Sequence, residues 1–264
     1  PERAAEPGTP LLHEALGSNL SFEFALGGDR RAAVAAAVHS VRQRIDCQRL
    51  IPSPLETRGI VAHYEPDCDG LTIHLSTQAP HLLRTQIARY LGISEHRVRV
   101  IAPDVGGAFG AKLNPYAEEL LAAALALHRR TTIKWIEDRL ESMVATSHGR
   151  GQRAFVEASA DADGRVTSLH LSLLLDIGAY HHILTPMGPF QTAMLMTGCY
   201  RIPCASVEIR GVFTNKTPVD PYRGFGRAEA AYYVERLMDI LARRTGIDPV
   251  EIRRRNFIAP DAFP

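Results

Sequence analysis

The sequence predicts an α+β fold with mixed β-sheets, helices packed on one face, and two lobes. Predicted strands come in groups, and helical patterns alternate with them only in part, which argues against a doubly wound parallel sheet. The length of 264 residues suits one large domain or two small lobes. The sequence shows no internal repeat and no low-complexity segment.

A short first segment differs in composition from the rest of the chain. Residues 1–30 are rich in Pro, Gly and Ala and lack periodicity, so we expect a linker or the remnant of a missing upstream domain. Residues 31–264 carry the regular patterns and are expected to fold as one domain.

Strands are predicted where apolar residues alternate or run together between Gly and Pro residues. Asp163-Gly164 separates two such runs and predicts a hairpin. The predicted strands cover residues 41–50, 60–63, 71–76, 98–101, 131–136, 153–160, 166–175 and 207–213.

Helices are predicted where apolar residues recur every three or four positions, as Leu83, Ile87 and Leu91 do. Asn114 is predicted to cap a helix that has Pro115 at its first position. The predicted helices cover residues 31–37, 80–91, 115–130, 228–244 and a short segment after Asp248.

Composition and charge exclude several classes of partner. A net charge of +1 gives no reason to expect nucleic acid or an anionic membrane. The longest apolar run, 120–127, is too short for a transmembrane segment. The four cysteines form no CxxC pair, and His181 and His182 are adjacent, so we expect no metal held by protein side chains. Without a signal-peptide pattern, a cytoplasmic location is expected.

The most informative segment is Asp104–Lys112, called here the glycine loop. Its glycines at 106, 107 and 110 permit tight bends and close approach to a ligand, with Phe109 between them. It follows a predicted strand and precedes a predicted helix, whose free N–H groups would suit an anion. The alternative is a loop that merely needs sharp turns.

A second segment, Pro221–Arg227, repeats this design and is called the arginine loop. Glycines again flank a phenylalanine before a long helix, with Arg223 and Arg227 beside it. Arginine suits phosphate or carboxylate geometry, so two such loops favour a shared anion site. An unrelated phosphate-binding module is the alternative if the two loops lie far apart.

These two loops and Ser76–His81 resemble the large-subunit signatures of the xanthine dehydrogenase, aldehyde oxidase and aerobic carbon monoxide dehydrogenase family, the molybdenum hydroxylases. The resemblance is strongest to the bacterial carbon monoxide dehydrogenase-like large chains. It extends in order through further segments, Gln48–Glu56, Lys134–Arg139, Thr214–Pro218 and Glu251–Phe257.

The resemblance implies that 31–264 is the first molybdopterin-cofactor-binding domain of such a subunit, without the second half and its catalytic glutamate. The cofactor would be molybdopterin or molybdopterin cytosine dinucleotide, with molybdenum held by the pterin sulfurs. Partners would be an iron–sulfur small subunit with [2Fe–2S], an FAD-binding medium subunit and the remainder of the large subunit. The reaction would be oxidation of an aldehyde or heterocycle C–H with water, and the alternative is an isolated cofactor-binding half that is inactive alone.

The resemblance also implies roles for individual residues. Gln78 would donate a hydrogen bond to an oxygen of the cofactor, Phe109 would stand over the metal, and Arg223 would be the active-site arginine. The implied cofactor-binding set is Gln78, Gly106, Gly107, Ala108, Phe109, Gly110, Arg223 and Gly224. Ala108 replaces a glycine usual in the family and fits comfortably only with a negative φ.

Three residues are expected to line the substrate pocket: Leu113, Gln191 and Phe225. Purine-oxidising relatives carry a glutamate near the lysine of the glycine loop and an arginine upstream of a Cys-Tyr-x-Ile-Pro segment. Here Leu113 follows Lys112, and the nearest upstream polar candidate to Tyr200 is Gln191. The true carbon monoxide dehydrogenases of the family that the chain resembles carry a copper-binding cysteine in this loop, and the arginine loop here has none. The sequence therefore disfavours both purines and carbon monoxide as substrates.

Overall fold

The computed structural model describes residues 1–262, and the prediction of an α+β fold with mixed sheets is confirmed. The strands are β1 Leu20–Gly27, β2 His39–Cys47, β3 Gly59–Glu65, β4 Gly70–Leu75, β5 Val98–Ile101, β6 Ile133–Ile136, β7 Gln152–Ala160, β8 Val166–Gly178 and β9 Cys204–Phe213. The α-helices are α1 Arg31–Ala35, α2 Pro80–Leu91, α3 Ala117–Arg129, α4 Arg139–Ala145, α5 Met187–Met194, α6 Arg227–Thr245 and α7 Pro249–Asn256.

The chain divides into two compact units. The first unit comprises residues 1–50, 150–219 and the chain from 224 onward, and the second comprises 51–149 and 220–223. Two lobes were expected, but not that Asp220 and the first three residues of the arginine loop would belong to the second unit.

The first unit is built on a five-stranded mixed sheet in the order β1-β9-β8-β7-β2, in which only β8 and β9 run parallel. Leu169, Leu171 and Leu173 alternate along β8 and therefore share one face of the sheet. They belong to the same core as the apolar stripe of α6, which includes Val234 and Leu237. Each fully buried leucine stabilises this core by about 1.5–3 kcal/mol.

The expectation of a linker over 1–30 is wrong for eight of its residues. Leu20–Gly27 form β1, which pairs antiparallel with β9 from Leu20 opposite Val212 to Gly27 opposite Ser206. The run Leu-Ser-Phe-Glu-Phe-Ala-Leu alternates apolar and other residues, so a strand signal was present. We overlooked this strand because the residues before it are rich in Pro and Gly.

The second unit is built on a four-stranded sheet in the order β5-β4-β3-β6, in which β4 and β5 are parallel. The buried residues of β3 and β4 form one core with α2 and α3. Both ends of α2 and of β5 agree with the sequence prediction, whereas α4 and α5 were not predicted. In the described residues 1–262, no helix has both the length and the apolarity to cross a membrane.

A buried arginine ties this second unit together. Arg58 is 1% exposed, and its Nη2 lies 2.6 Å from Glu137 Oε1, whose side chain is also buried. Its guanidinium stacks on the Tyr116 ring, 3.8 Å from the ring centroid, and lies 3.6 Å from Glu119. The Arg58 guanidinium is therefore the counter-ion of two buried carboxyl groups, those of Glu137 and Glu119.

The predicted cap of α3 is wrong. The helix begins at Ala117 with Tyr116 as N-cap residue, and the Tyr116 amide donates to Glu119 Oε2 at 3.3 Å. Asn114 instead donates to Asp220 Oδ2 at 2.7 Å. Because the buried Glu119 carboxyl occupies the start of α3, this end of the helix is not a seat for an external anion.

We predict that Glu119 gives the unfolding free energy a measurable pH dependence. Burial raises the pKa of Glu119 from 4.5 to about 7, although the charge of Arg58 opposes the shift. Between pH 4.5 and about pH 7, Glu119 is protonated in the folded chain and ionised in the unfolded chain. The contribution of Glu119 to the unfolding free energy is therefore fully present below pH 4.5 and declines as pH rises to about 7. One proton contributes at most about 1.4 kcal/mol per pH unit.

The measurement is urea unfolding at a series of pH values. Glu119→Gln should flatten this part of the profile, and the control Glu95→Gln, in an exposed ion pair with Arg84, should not. A Glu119→Gln profile parallel to wild type would contradict the assignment.

Candidate functional site

The backbone of the glycine loop has a positive φ at three of its residues. Gly107 and Gly110 have φ of +97° and +107°, and Phe109 between them has φ of +54°. A positive φ in a bulky residue stores strain and is concentrated at functional sites. Ala108 is not among the residues with a positive φ, so an alanine at this position causes no backbone strain.

Gly110 is required by its surroundings as well as by its φ. A Cβ at this position would collide with the backbone carbonyl of Pro221, which belongs to the same unit. The Arg223 amide donates to the Phe109 carbonyl at 3.0 Å, and the Arg223 guanidinium carbon lies 6.0 Å from the Phe109 ring centroid. The first three residues of the arginine loop are thereby fixed against the glycine loop.

Gln78 lies between β4 and α2, and the structure brings it against the glycine loop. Its Oε1 accepts from the Gly110 amide at 2.9 Å, and its backbone amide donates to the Lys112 carbonyl at 3.1 Å. Because an amide N–H can donate only to the oxygen, the contact with Gly110 fixes which end of the side chain is Nε2. Within residues 1–262, Nε2 has no hydrogen-bond partner, and Gln78 is exposed.

The glycine loop offers two further donors. Across the described part of the chain, the amides of Ala108 and Phe109 have no acceptor, whereas those of Gly107 and Gly110 are bonded within the second unit. Together with Gln78 Nε2 and the positive charge of Arg223, they form a set of donors suited to an oxygen-rich anionic ligand.

The other predicted site residues are Leu113, Gly224, Phe225 and Gln191, and no hydrogen bond to the glycine loop is described for them. Leu113 is half-buried in the second unit, beside Lys112. Gly224, Phe225 and Gln191 belong to the first unit. There Phe225, with φ of +33°, lies against Gly188, and the space that a Cβ on Gly226 would need is filled by Gln191 and the backbone of Gly188.

The start of α6 is not an anion seat either. The Gly226 amide donates to Glu229 Oε2 at 3.0 Å, and Arg150 Nη1 contacts both carboxylate oxygens of Glu229 at 3.0 Å. Glu229 is buried, so it serves the helix start and its ion pair. No group of three or more His, Cys, Asp or Glu residues gathers as a metal site in residues 1–262.

Glu56 is the site residue that sequence reasoning missed. Its Oε2 accepts from Ser76 Oγ at 2.8 Å, from the Gly106 amide at 2.8 Å and from Lys112 Nζ at 2.7 Å. Burial acts to raise the pKa of Glu56, but the hydrogen bonds from Lys112, Ser76 and Gly106 outweigh it, and the pKa is lowered. Lys112 is 2% exposed, and a buried ammonium needs a counter-ion, which is the signal that could have led to Glu56.

Comparison with known proteins places these features in a family. Residues 12–257 match the family model described as "Molybdopterin cofactor-binding domain". The chain is 39% identical over 234 residues to the nicotine 6-hydroxylase large subunit of Paenarthrobacter nicotinovorans, covering 88% of this chain and 29% of that protein. It is 34% identical over 281 residues to the carbon monoxide dehydrogenase large chain of Hydrogenophaga pseudoflava, covering 100% and 35%.

A solved structure gives the same result. Quinoline 2-oxidoreductase from Pseudomonas putida 86 matches with a TM-score of 0.92 and 34% identity, over 99% of this chain and 34% of that one. The chain therefore spans about a third of the length of the relatives it matches.

We predict that Gly110→Ala destabilises the protein more than Gly92→Ala. Both glycines have a positive φ, but a Cβ at Gly92 meets no atom within 4 Å, whereas one at Gly110 meets the Pro221 carbonyl. The difference in unfolding free energy should be about 1–3 kcal/mol, the usual cost of overpacking. Denaturant titration of both variants measures it, and equal losses would show that the Pro221 contact does not constrain the loop.

Proposed function

The chain belongs to the molybdopterin cofactor-binding domain family, and we propose that it forms one wall of the cofactor site in a molybdenum hydroxylase large subunit. The proposed reaction is the oxidation of an aromatic heterocycle or aldehyde C–H with water. Electrons would pass to iron–sulfur and FAD centres on partner subunits, in a cytoplasmic complex. The relatives named as large subunits or large chains support an assembly of several subunits.

The single observation that carries the proposal is the orientation of the Gln78 amide. Its oxygen is held by the Gly110 amide, so its NH₂ group is presented as a donor in a fixed direction. The unpaired amides of Ala108 and Phe109 lie in the same loop that holds it. This donor set fits the oxygen-rich pterin phosphate and oxo groups of a molybdenum cofactor, and it fits no cation.

The residues of this chain would bind and orient rather than transfer protons. When bound, the cofactor supplies a two-electron acceptor for the C–H oxidation. Gln78, Ala108 and Phe109 would donate hydrogen bonds to it, and Arg223 would add positive charge.

No proton acceptor is assigned within this chain. Glu119 and Glu229 are buried, and each accepts a hydrogen bond from the N-cap amide of its own helix. Glu118 contacts Arg58 at 3.3 Å. A general base would therefore come from another part of the full protein, and we expect this chain alone to be inactive and to hold no stoichiometric molybdenum.

A neutral, flat substrate suits the proposed pocket residues. Leu113 offers no hydrogen bond through its side chain, Gln191 is uncharged, and Phe225 provides an aromatic face. Relatives that match well are named for nicotine and quinoline, which favours an aromatic nitrogen heterocycle. The arginine loop lacks a cysteine for copper, which disfavours carbon monoxide.

We predict that Gln78→Glu in the full protein lowers kcat/KM by about 10²–10³-fold, the usual cost of removing one donor to developing charge. The change keeps the shape and replaces the donor by an acceptor. Gln86→Glu on α2, in the same unit, is the matched control and should leave kcat/KM unchanged. Molybdenum content is measured alongside, and a loaded Gln78→Glu enzyme with wild-type kcat/KM would remove Gln78 from the site.

We predict that the full protein oxidises nicotinate or benzaldehyde better than xanthine. Each unpaired polar group of a purine would cost about 1–3 kcal/mol, so two such losses lower kcat/KM by about two orders of magnitude or more. Steady-state turnover of the three substrates by one enzyme preparation decides it. Xanthine as the best of the three would refute this account of the pocket.

A further inference from the structure

We propose that Glu56 is a positioning residue that sets the glycine loop against Gln78, through three hydrogen bonds to one carboxylate oxygen. This inference rests on the proposed function, because it assigns Glu56 a role in presenting the Gln78 amide to a cofactor. In the described residues Glu56 makes no hydrogen bond to Gln78 or Phe109, so its effect is carried by the residues between them.

The three contacts of Glu56 Oε2 are placed at the ends of the segments that make the site. Gly106 and Lys112 lie at the two ends of the tight part of the glycine loop, and both donate to this oxygen. Ser76, the third donor, lies two residues before Gln78. One atom therefore fixes both ends of the tight part of the glycine loop and the segment between β4 and α2 that carries Gln78.

The backbone reinforces the same arrangement. The Glu56 amide donates to the Gly106 carbonyl at 3.2 Å, and a Cβ on Gly106 would lie 2.5 Å from Glu56 Cβ. The Lys112 carbonyl accepts from the Gln78 amide at 3.1 Å and from Thr77 Oγ1 at 3.0 Å. The approach of Glu56 to Gly106 leaves no room for a side chain, and the loop is held closely on both sides.

Charge explains why a carboxylate is needed at this position. Lys112 Nζ is buried and its hydrogen bond is to Glu56, whose side chain is 39% exposed. Removing the negative charge would leave a buried ammonium without a counter-ion, and such a change is far more disruptive than replacing both partners by neutral groups. Lys112 is thus engaged with Glu56.

The test compares Glu56→Gln, the double variant Glu56→Gln/Lys112→Met and the control Glu95→Gln in the intact molybdenum enzyme. The readouts are molybdenum content, kcat and KM separately, and hydrogen exchange resolved to the Gly110 amide. The Gly110 amide is decisive because it donates to Gln78 and, within residues 1–262, makes no hydrogen bond to Glu56.

In Glu56→Gln we expect Gly110 to exchange about tenfold faster or more, and kcat to fall about tenfold or more with KM changed less than about threefold. The double variant removes the Lys112 ammonium, which Glu56→Gln alone would leave without a counter-ion. Its glutamine at position 56 keeps a side-chain oxygen that can accept from Gly106 and Ser76. We therefore expect it to recover at least half of the kcat loss on a logarithmic scale. The control should match wild type in every readout.

A Glu56→Gln enzyme with wild-type kcat and wild-type Gly110 exchange would overturn the inference. A loss of molybdenum with faster Gly110 exchange would support it, whereas a loss with unchanged exchange would overturn it. An intact wild-type enzyme, with the rest of the large subunit and its partners present, that carries no molybdenum would instead refute the proposed function, independently of the variants.

Discussion

The candidate site depends on one hydrogen bond, from the Gly110 amide to Gln78 Oε1 at 2.9 Å. It joins the segment between β4 and α2 to the loop that follows β5. It also orients the Gln78 amide so that its donor end is unpaired among the described residues. The loop that makes this contact turns sharply, with positive φ at Gly107, Phe109 and Gly110. Strain in the loop is thus compensated by hydrogen bonds and close packing around it.

Two buried cationic side chains of the second unit are each paired with a carboxylate. Arg58 is held by Glu137 and by the Tyr116 ring, and Lys112 by Glu56. Each pair links segments that are distant along the chain, so each fixes a tertiary arrangement that packing of aliphatic residues alone would define less sharply. The Lys112 pair lies at the glycine loop, where precise placement of donors affects binding.

The sequence predicted the local features of this chain well and the tertiary ones poorly. Helix α2 and strand β5 agree because apolar periodicity and Gly92 are local signals. The capping pattern Asp138 to Glu141 was also local, yet α4 was not predicted. Asn114 was mistaken for a cap because its real partner, Asp220, lies 106 residues away. Glu56 was missed for the same reason, since its three partners are 20 to 56 residues distant.

A crystal structure of the full protein loaded with its molybdenum cofactor would test the central claim most directly. The account predicts that Gln78 Oε1 stays on the Gly110 amide and that Gln78 Nε2 lies within about 3.2 Å of a cofactor oxygen. A cofactor bound away from the glycine loop, or a Gln78 amide turned so that its oxygen faces the cofactor, would contradict it.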